Sequence, residues 1–183
     1  MTLPVTSRRG FLALAATAAV TPVSRASTPH APPLYITSPR PFPPFGFSDA
    51  SGHRPTLENF RGRFVLLNIW ATCCIPCRKE MPALDDVQAK LGGPHFEVVP
   101  VSIDTGGLKA VKSFYAKIEI RHLGIFLDLD GSAMRALNLE GVPTSFLIDP
   151  NGRHIGRETG AVAWDKPHVL AFLRGTIAAH LSQ

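Results

Sequence analysis

Trp70-Ala71-Thr72-Cys73-Cys74-Ile75-Pro76-Cys77-Arg78-Lys79-Glu80-Met81-Pro82 is the stretch that decides the fold. An apolar run from Phe64 to Ile69 precedes it and reads as a buried strand. Met81, Leu84, Val87 and Leu91 follow it at helical spacing. Cys74 and Cys77 therefore stand where a strand hands over to a helix. The first turn of a helix has unpaired backbone N–H groups, and its dipole favours negative charge. A thiolate at position 74 is stabilised there, and the thiolate is the form that attacks disulfides. An ordinary thiol has a pKa of about 8.5; motifs of this kind bring it to roughly 7 or lower. Exchange is fastest when the attacking thiol's pKa lies near ambient pH. Cys77 comes one helical turn later on the same face, placed to attack a mixed disulfide and release the substrate. Arg78 and Lys79 add positive charge nearby. Pro76 fits the first helical turn, where a missing N–H costs nothing.

The pattern Trp-Ala-Thr-x-Cys-x-Pro-Cys-Arg-x-Glu-Met-Pro resembles the active-site signature of the TlpA/ResA/CcmG family of extracytoplasmic thiol–disulfide oxidoreductases. Two further stretches match that family. Phe47-Ser48-Asp49 through Leu57-Glu58-Asn59-Phe60-Arg61-Gly62 resembles the hairpin and turn before its first core strand. Gly141-Val142-Pro143-Thr144, before Ser145-Phe146-Leu147-Ile148-Asp149, resembles its cis-proline loop. The resemblance runs from residue 45 to residue 180. It implies an α/β protein: a thioredoxin-like three-layer sandwich with a central mixed β-sheet, an N-terminal hairpin and a central αβ insertion. It also implies a protein-disulfide reductase that needs no cofactor beyond a redox-active Cys74–Cys77 disulfide. Cys74 attacks, Cys77 resolves, and Pro143 is a cis proline beside the pair.

Trp70, Pro76, Val142 and Thr144 make up the expected substrate-binding shell. Trp70 is expected to shield the dithiol from water, unless it is a plain core aromatic. A cis proline leaves a backbone edge free, so Val142 can pair with a docking substrate strand. Asn68 stands where cytoplasmic thioredoxins carry a buried Asp, and an amide cannot act as a base. A carboxylate that deprotonates Cys77 is then either Glu80 on the active-site helix or Asp104 at the end of the second strand. Cys73 departs from the family, which usually has Trp at this place. It reads as a small apolar replacement at the rim. A Cys73–Cys74 bond is disfavoured, because adjacent Cα atoms lie about 3.8 Å apart, short of the usual disulfide range. A Cys73–Cys77 bond, or a soft-metal role for Cys73, stays open. Zinc would need two further ligands, and the sequence offers no second CxxC and no ligand spacing among its seven histidines.

Pro76 next to Cys77 is the arrangement of reducing thioredoxins, whereas strong oxidants of the DsbA type carry a different dipeptide. The expected direction is reduction of client proteins. The resemblance implies oxidised apocytochrome c, or cysteines of a copper-site protein, as acceptors. It implies a membrane thiol reductant of the DsbD/CcdA type as electron source. The alternative is a copper-binding chaperone similar to the Sco family, which shares the fold and uses Cys-x-x-x-Cys, the spacing of Cys73 and Cys77. That family also needs a His shortly before a late strand, where this chain has Gly141-Val142-Pro143-Thr144.

Composition bounds the rest. The chain has 183 residues, 45% of them hydrophobic and 18% charged, which is globular and suits one domain. Its net charge is +5. Arg8, Arg9 and Arg25 account for three of those charges, and without them 16 basic residues face 14 acidic ones. No basic patch has interleaved aromatics, so nucleic acid is not an expected partner. No run of about 18 apolar residues is free of breakers. Residues 1–26 read as a twin-arginine-type signal peptide: Arg8-Arg9 before Phe11-Leu12, an alanine-rich apolar stretch, then Ser24-Arg25-Ala26. The expected location is the periplasm, an oxidising compartment. Residues 27–44, with seven prolines, read as an extended, poorly packed tether. Residues 45–183 read as the thioredoxin-like domain. Its expected elements are a hairpin over 46–55 turning at Ser51-Gly52, a helical turn at 57–60, strands at 64–70 and 96–103, and an active-site helix over 76–91 kinked at Pro82. A helix from Gly106-Gly107, a strand at 125–128 and a helix at 132–137 follow. Strands at 144–149 and 153–158 and a helix over 165–180 complete it.

Overall fold

The computed structural model describes residues 33–182, so the expected leader lies outside the described residues. The strands are β1 (Tyr35–Pro41), β2 (Ser48–Asp49), β3 (Phe64–Trp70), β4 (Phe96–Ser102), β5 (Phe126–Leu127), β6 (Thr144–Ile148) and β7 (Arg153–Thr159). The α-helices are α1 (Ile75–Leu91), α2 (Gly107–Lys117), α3 (Ser132–Ala136) and α4 (Pro167–Leu181), and a 3-10 turn spans Leu57–Phe60. Among the described residues the strands form one mixed sheet, in the order β1-β7-β6-β3-β4-β5-β2. β3, β4 and β5 are parallel, and the other neighbours are antiparallel.

β3 is buried along its whole length. Its side chains alternate between two apolar layers. Phe64, Leu66 and Trp70 join Met81, Leu84 and Val87 of α1, Val111 and Phe114 of α2, and Val169 and Leu173 of α4. Val65, Leu67 and Ile69 face the other way, against Phe45, Phe47, Phe60 and Ala133. Burial on both faces is why this strand reads as a continuous apolar run. One polar residue interrupts the first set: Asn68 lies on the α1 side, between Leu66 and Trp70. The helix α1 runs unbroken through Pro82 and ends at Gly92, whose N–H still bonds the Gln88 carbonyl.

The expected hairpin over 46–55 is a tight reversal: the Asp49 N–H donates to the His53 carbonyl at 2.8 Å and the Gly52 N–H to the Asp49 carbonyl at 3.1 Å. Its first arm, β2, forms its ladder with β5. The turn is held by the Asp49 carboxylate, which accepts from the N–H groups of Ser51 and His53 at 2.8 and 3.0 Å. An Asp turn of this kind reverses the chain with little help from backbone pairing.

The expected tether needs correction. Tyr35–Pro41 is an edge strand on β7, with Leu34 buried at its start. The prolines mislead because an edge strand tolerates a missing N–H, and the register shifts between Ile36 and Arg40, around Pro39. Gly156 of β7 makes the close approach possible: a Cβ there would meet Ile36 Cδ1 at 3.2 Å and Leu34 Cβ at 3.3 Å. A Gly156→Val protein should therefore lose about 1–3 kcal/mol of stability in urea unfolding. An unchanged midpoint would mean that the N-terminal strand is not part of the folded unit.

Candidate active site

Cys74 is the N-cap of α1, with extended backbone, and Ile75 and Pro76 open the helix. The Cys74 Sγ accepts from the Cys77 N–H at 3.1 Å, so one orphan donor of the helix end points at this sulfur. Cys74 and Cys77 are joined in a disulfide, with their Cα atoms 5.2 Å apart. Cys77 is fully buried, whereas Cys74 is half-buried and Ile75 and Pro76 are exposed beside it. Only the first sulfur is open to a partner.

The loop before β6 closes over that sulfur. The Val142–Pro143 peptide bond is cis. The Val142 carbonyl oxygen lies 3.5 Å from Cys74 Sγ. The Gly160 N–H donates to the Pro143 carbonyl at 2.9 Å, tying the loop to the end of β7. Thr144 was expected in the substrate shell, but it is fully buried and its hydroxyl donates to the Gly141 carbonyl at 2.8 Å. It shapes the loop from inside. Trp70 is likewise buried, stacked on Tyr115 with ring centroids 5.8 Å apart. It is a floor in the apolar layer that also holds Cys77, not a lid over the pair. Arg78 lays its guanidinium over Phe114, 5.6 Å from the ring centre.

The two candidate carboxylates occupy different places. Asp104 accepts from the Thr72 N–H at 2.8 Å, the Thr72 hydroxyl at 2.6 Å and the Ser102 hydroxyl at 2.7 Å. It pins the segment that leads into the cysteines, and its oxygens are spent on that task. Glu80 is 2% exposed and shares the buried face of α1 with Cys77, one turn on. Asn68 Nδ2 donates to it at 2.7 Å and the Val162 N–H at 3.1 Å. Burial pushes the Glu80 carboxyl up to about 7, against the pull of those hydrogen bonds.

The sequence reading missed the shell around Glu80. Asn68 was set aside because it cannot be a base, yet it is a donor. Val162 lies 82 residues from Glu80, and no local signal links them. Asp85 was also missed. It accepts from the N–H groups of His122 and Leu123 at 2.7 and 3.0 Å, fastening α1 to the segment after α2. Burial raises its pKa, but the hydrogen bonds from His122, Arg121 and Leu123 outweigh that and hold it below the usual carboxylate range.

Cys73 is an exposed free thiol. A soft-metal pair of Cys73 and Cys77 would need both sulfurs on one ion. Here Cys77 is sealed in the core and bonded to Cys74, and Cys73 is open to solvent.

Comparison with known proteins gives a consistent picture. A family model described as the AhpC/TSA family matches residues 39–153. The chain is 33% identical over 113 residues to the thiol-disulfide oxidoreductase ResA of Bacillus thuringiensis subsp. konkukian, a match covering 62% of this chain and 64% of that one. It is 30% identical over 126 residues to ResA of Bacillus subtilis, covering 69% of each. With the first of these the match thus spans slightly under two thirds of the relative's length. Among solved structures, the thiol:disulfide interchange protein DsbE from Chlorobium tepidum superposes with a TM-score of 0.64 at 29% identity, over 79% of this chain and 97% of that one.

Proposed function

The chain belongs to the AhpC/TSA family, among its thioredoxin-fold TlpA/ResA/CcmG-like members, and from that premise we propose that it reduces disulfides of client proteins by thiol–disulfide exchange. The observation that carries this reading is the N-cap sulfur of Cys74, half-buried, held by the Cys77 N–H and flanked by Val142-Pro143. In the reduced protein the Cys74 thiolate attacks one sulfur of a client disulfide, and the other client sulfur leaves with the bonding pair. Cys77 then gives up its proton and attacks the Cys74 sulfur. The Cys74–Cys77 bond forms, the mixed disulfide breaks, and the client departs as a dithiol carrying two electrons and two protons. Glu80 is the base for Cys77. Val142, partly exposed beside Cys74, is where an extended client segment docks.

Direction and setting extend the proposal. Pro76 beside Cys77 supports a reductase. The Arg8-Arg9 leader supports export by the twin-arginine route to the periplasm. Among the described residues no helix is long and apolar enough to cross a membrane. In an oxidising compartment the dithiol must be re-reduced, and a membrane reductant of the DsbD/CcdA type fits that need. Apocytochrome c, or a copper-site protein, is the class of client proposed.

A trapping experiment tests the core of this. The Cys77→Ser protein, mixed with an oxidised dicysteine peptide, should accumulate a reductant-sensitive adduct on Cys74. An adduct on Cys73, or none, overturns the assignment of roles.

A further inference from the structure

We propose that Asn68 is a positioning residue of reversible polarity: its carboxamide donates to the Glu80 carboxylate and, turned end for end, accepts from the Glu80 carboxylic acid. The inference rests on the reading that Glu80 takes the Cys77 proton.

The geometry leads there through the polar atoms of the Asn68 and Glu80 side chains. Asn68 is wholly buried on β3. Its Nδ2 donates to Glu80 Oε1 at 2.7 Å and to Ser145 Oγ at 2.9 Å. Its Oδ1 is buried with no hydrogen-bond partner. Such an orphan is rare and calls for a reason. Both Glu80 oxygens meet donors, Oε1 the amide and Oε2 the Val162 N–H. That suits a carboxylate, which only accepts. A carboxylic acid has an O–H that must find an acceptor, and in this arrangement it would point at a donor on either side.

A backbone N–H cannot turn over, but a carboxamide can. Rotation by half a turn puts Oδ1 where Nδ2 now stands. It then accepts from the Glu80 O–H and from the Ser145 hydroxyl. Ser145, paired with Asn68 in the register of β3 and β6, can donate as readily as it accepts. One amide atom is orphaned before the turn and one after it, so the turn forfeits no hydrogen bond. The unpartnered Oδ1 is thus the mark of a group that serves two states. An aspartate here could not donate to Glu80, and a leucine could do neither.

In the reaction, the proton leaves Cys77 Sγ and binds Glu80 Oε1 as Asn68 turns. No electrons move in this step; the Cys77 thiolate it leaves behind carries out the exchange described above. The charged groups around Glu80 are Lys79 and Asp86 on α1 and Asp165 and Lys166 before α4, all exposed around the pocket that opens beside it. β3 and β6 present only the neutral Asn68 and Ser145.

The test is nuclear magnetic resonance on the oxidised full-length protein, following the Asn68 side-chain amide and the Glu80 carboxyl carbon against pH. The Asn68 resonances should titrate with the Glu80 midpoint. Proximity between the Nδ2 protons and the Ser145 β protons should be strong above that midpoint and lost below it. In Glu80→Gln the Asn68 resonances should be independent of pH. Proximity to Ser145 on both sides of the midpoint overturns the proposal without need of any variant. So does an Asn68 titration that persists in Glu80→Gln. No client is present, so loss of the amide switch and loss of reductase activity are read separately.

Discussion

A Cys74→Ser protein should fall to the uncatalysed background in disulfide reduction, a loss of roughly 10³-fold or more, the scale reached when a nucleophile acting as a unit with its partners is removed. The neighbouring thiol makes this a demanding expectation. Cys73 is exposed and one peptide bond away, so exposure alone would nominate it as the attacker. It is not the N-cap, however. The Cys77 N–H reaches the sulfur of Cys74, and that bond together with the helix end selectively stabilises its thiolate. The Val142 carbonyl oxygen lies 3.5 Å from Cys74 Sγ, so a client segment docked as proposed along Val142 would present its disulfide to this sulfur. Reduction of insulin, followed by the appearance of free thiols, should therefore cease in Cys74→Ser and be largely retained in Cys73→Ser. The reverse result, with Cys73→Ser inactive and binding of Cu(I) lost with it, would favour the copper-chaperone alternative.

The contrast between these cysteines shows what a sequence discloses and what it withholds. β3, α1 and the N-cap cysteine were legible because their causes are local: a run buried on both faces, helical spacing after it, and a proline at the second helical position. The Val142–Pro143 bond was legible only through resemblance, since nothing local to Gly141-Val142-Pro143-Thr144 distinguishes a cis bond from an ordinary turn. β1 was hidden because an edge strand tolerates prolines that a tether also carries, and its partner β7 is far along the chain. Glu80 and Asp104 could not be told apart because nothing local shows whether a carboxylate in the second turn of α1, or one just past the end of β4, turns into the core. Only tertiary packing sends one to Thr72 and Ser102 and the other into the core beside Asn68 and Val162.

Glu80→Gln should raise stability while slowing exchange, and the pH dependence separates the two effects. Burial holds the Glu80 carboxyl at about 7 in the folded chain, against an ordinary value of 4.5. Between those pH values the folded protein keeps a proton that the unfolded chain has released. Stability therefore falls as pH rises through this window, and the part present below pH 4.5 is lost above 7. The full loss is about 3 kcal/mol at most. Glutamine has no proton to release, and its amide oxygen can still accept from Val162 while its NH2 donates to the Oδ1 of a turned Asn68. The urea midpoint of the oxidised variant should match the wild type near pH 4 and exceed it by about 2–3 kcal/mol near pH 8. Parallel curves for the two proteins would mean that Glu80 titrates as it does in the unfolded chain. The same substitution removes the base proposed for Cys77, and release of client from the mixed disulfide should slow by about tenfold or more near neutral pH, at the low end of what a positioned base contributes. Both results together would mark a residue held there by its chemistry, since packing alone would be better served by the amide.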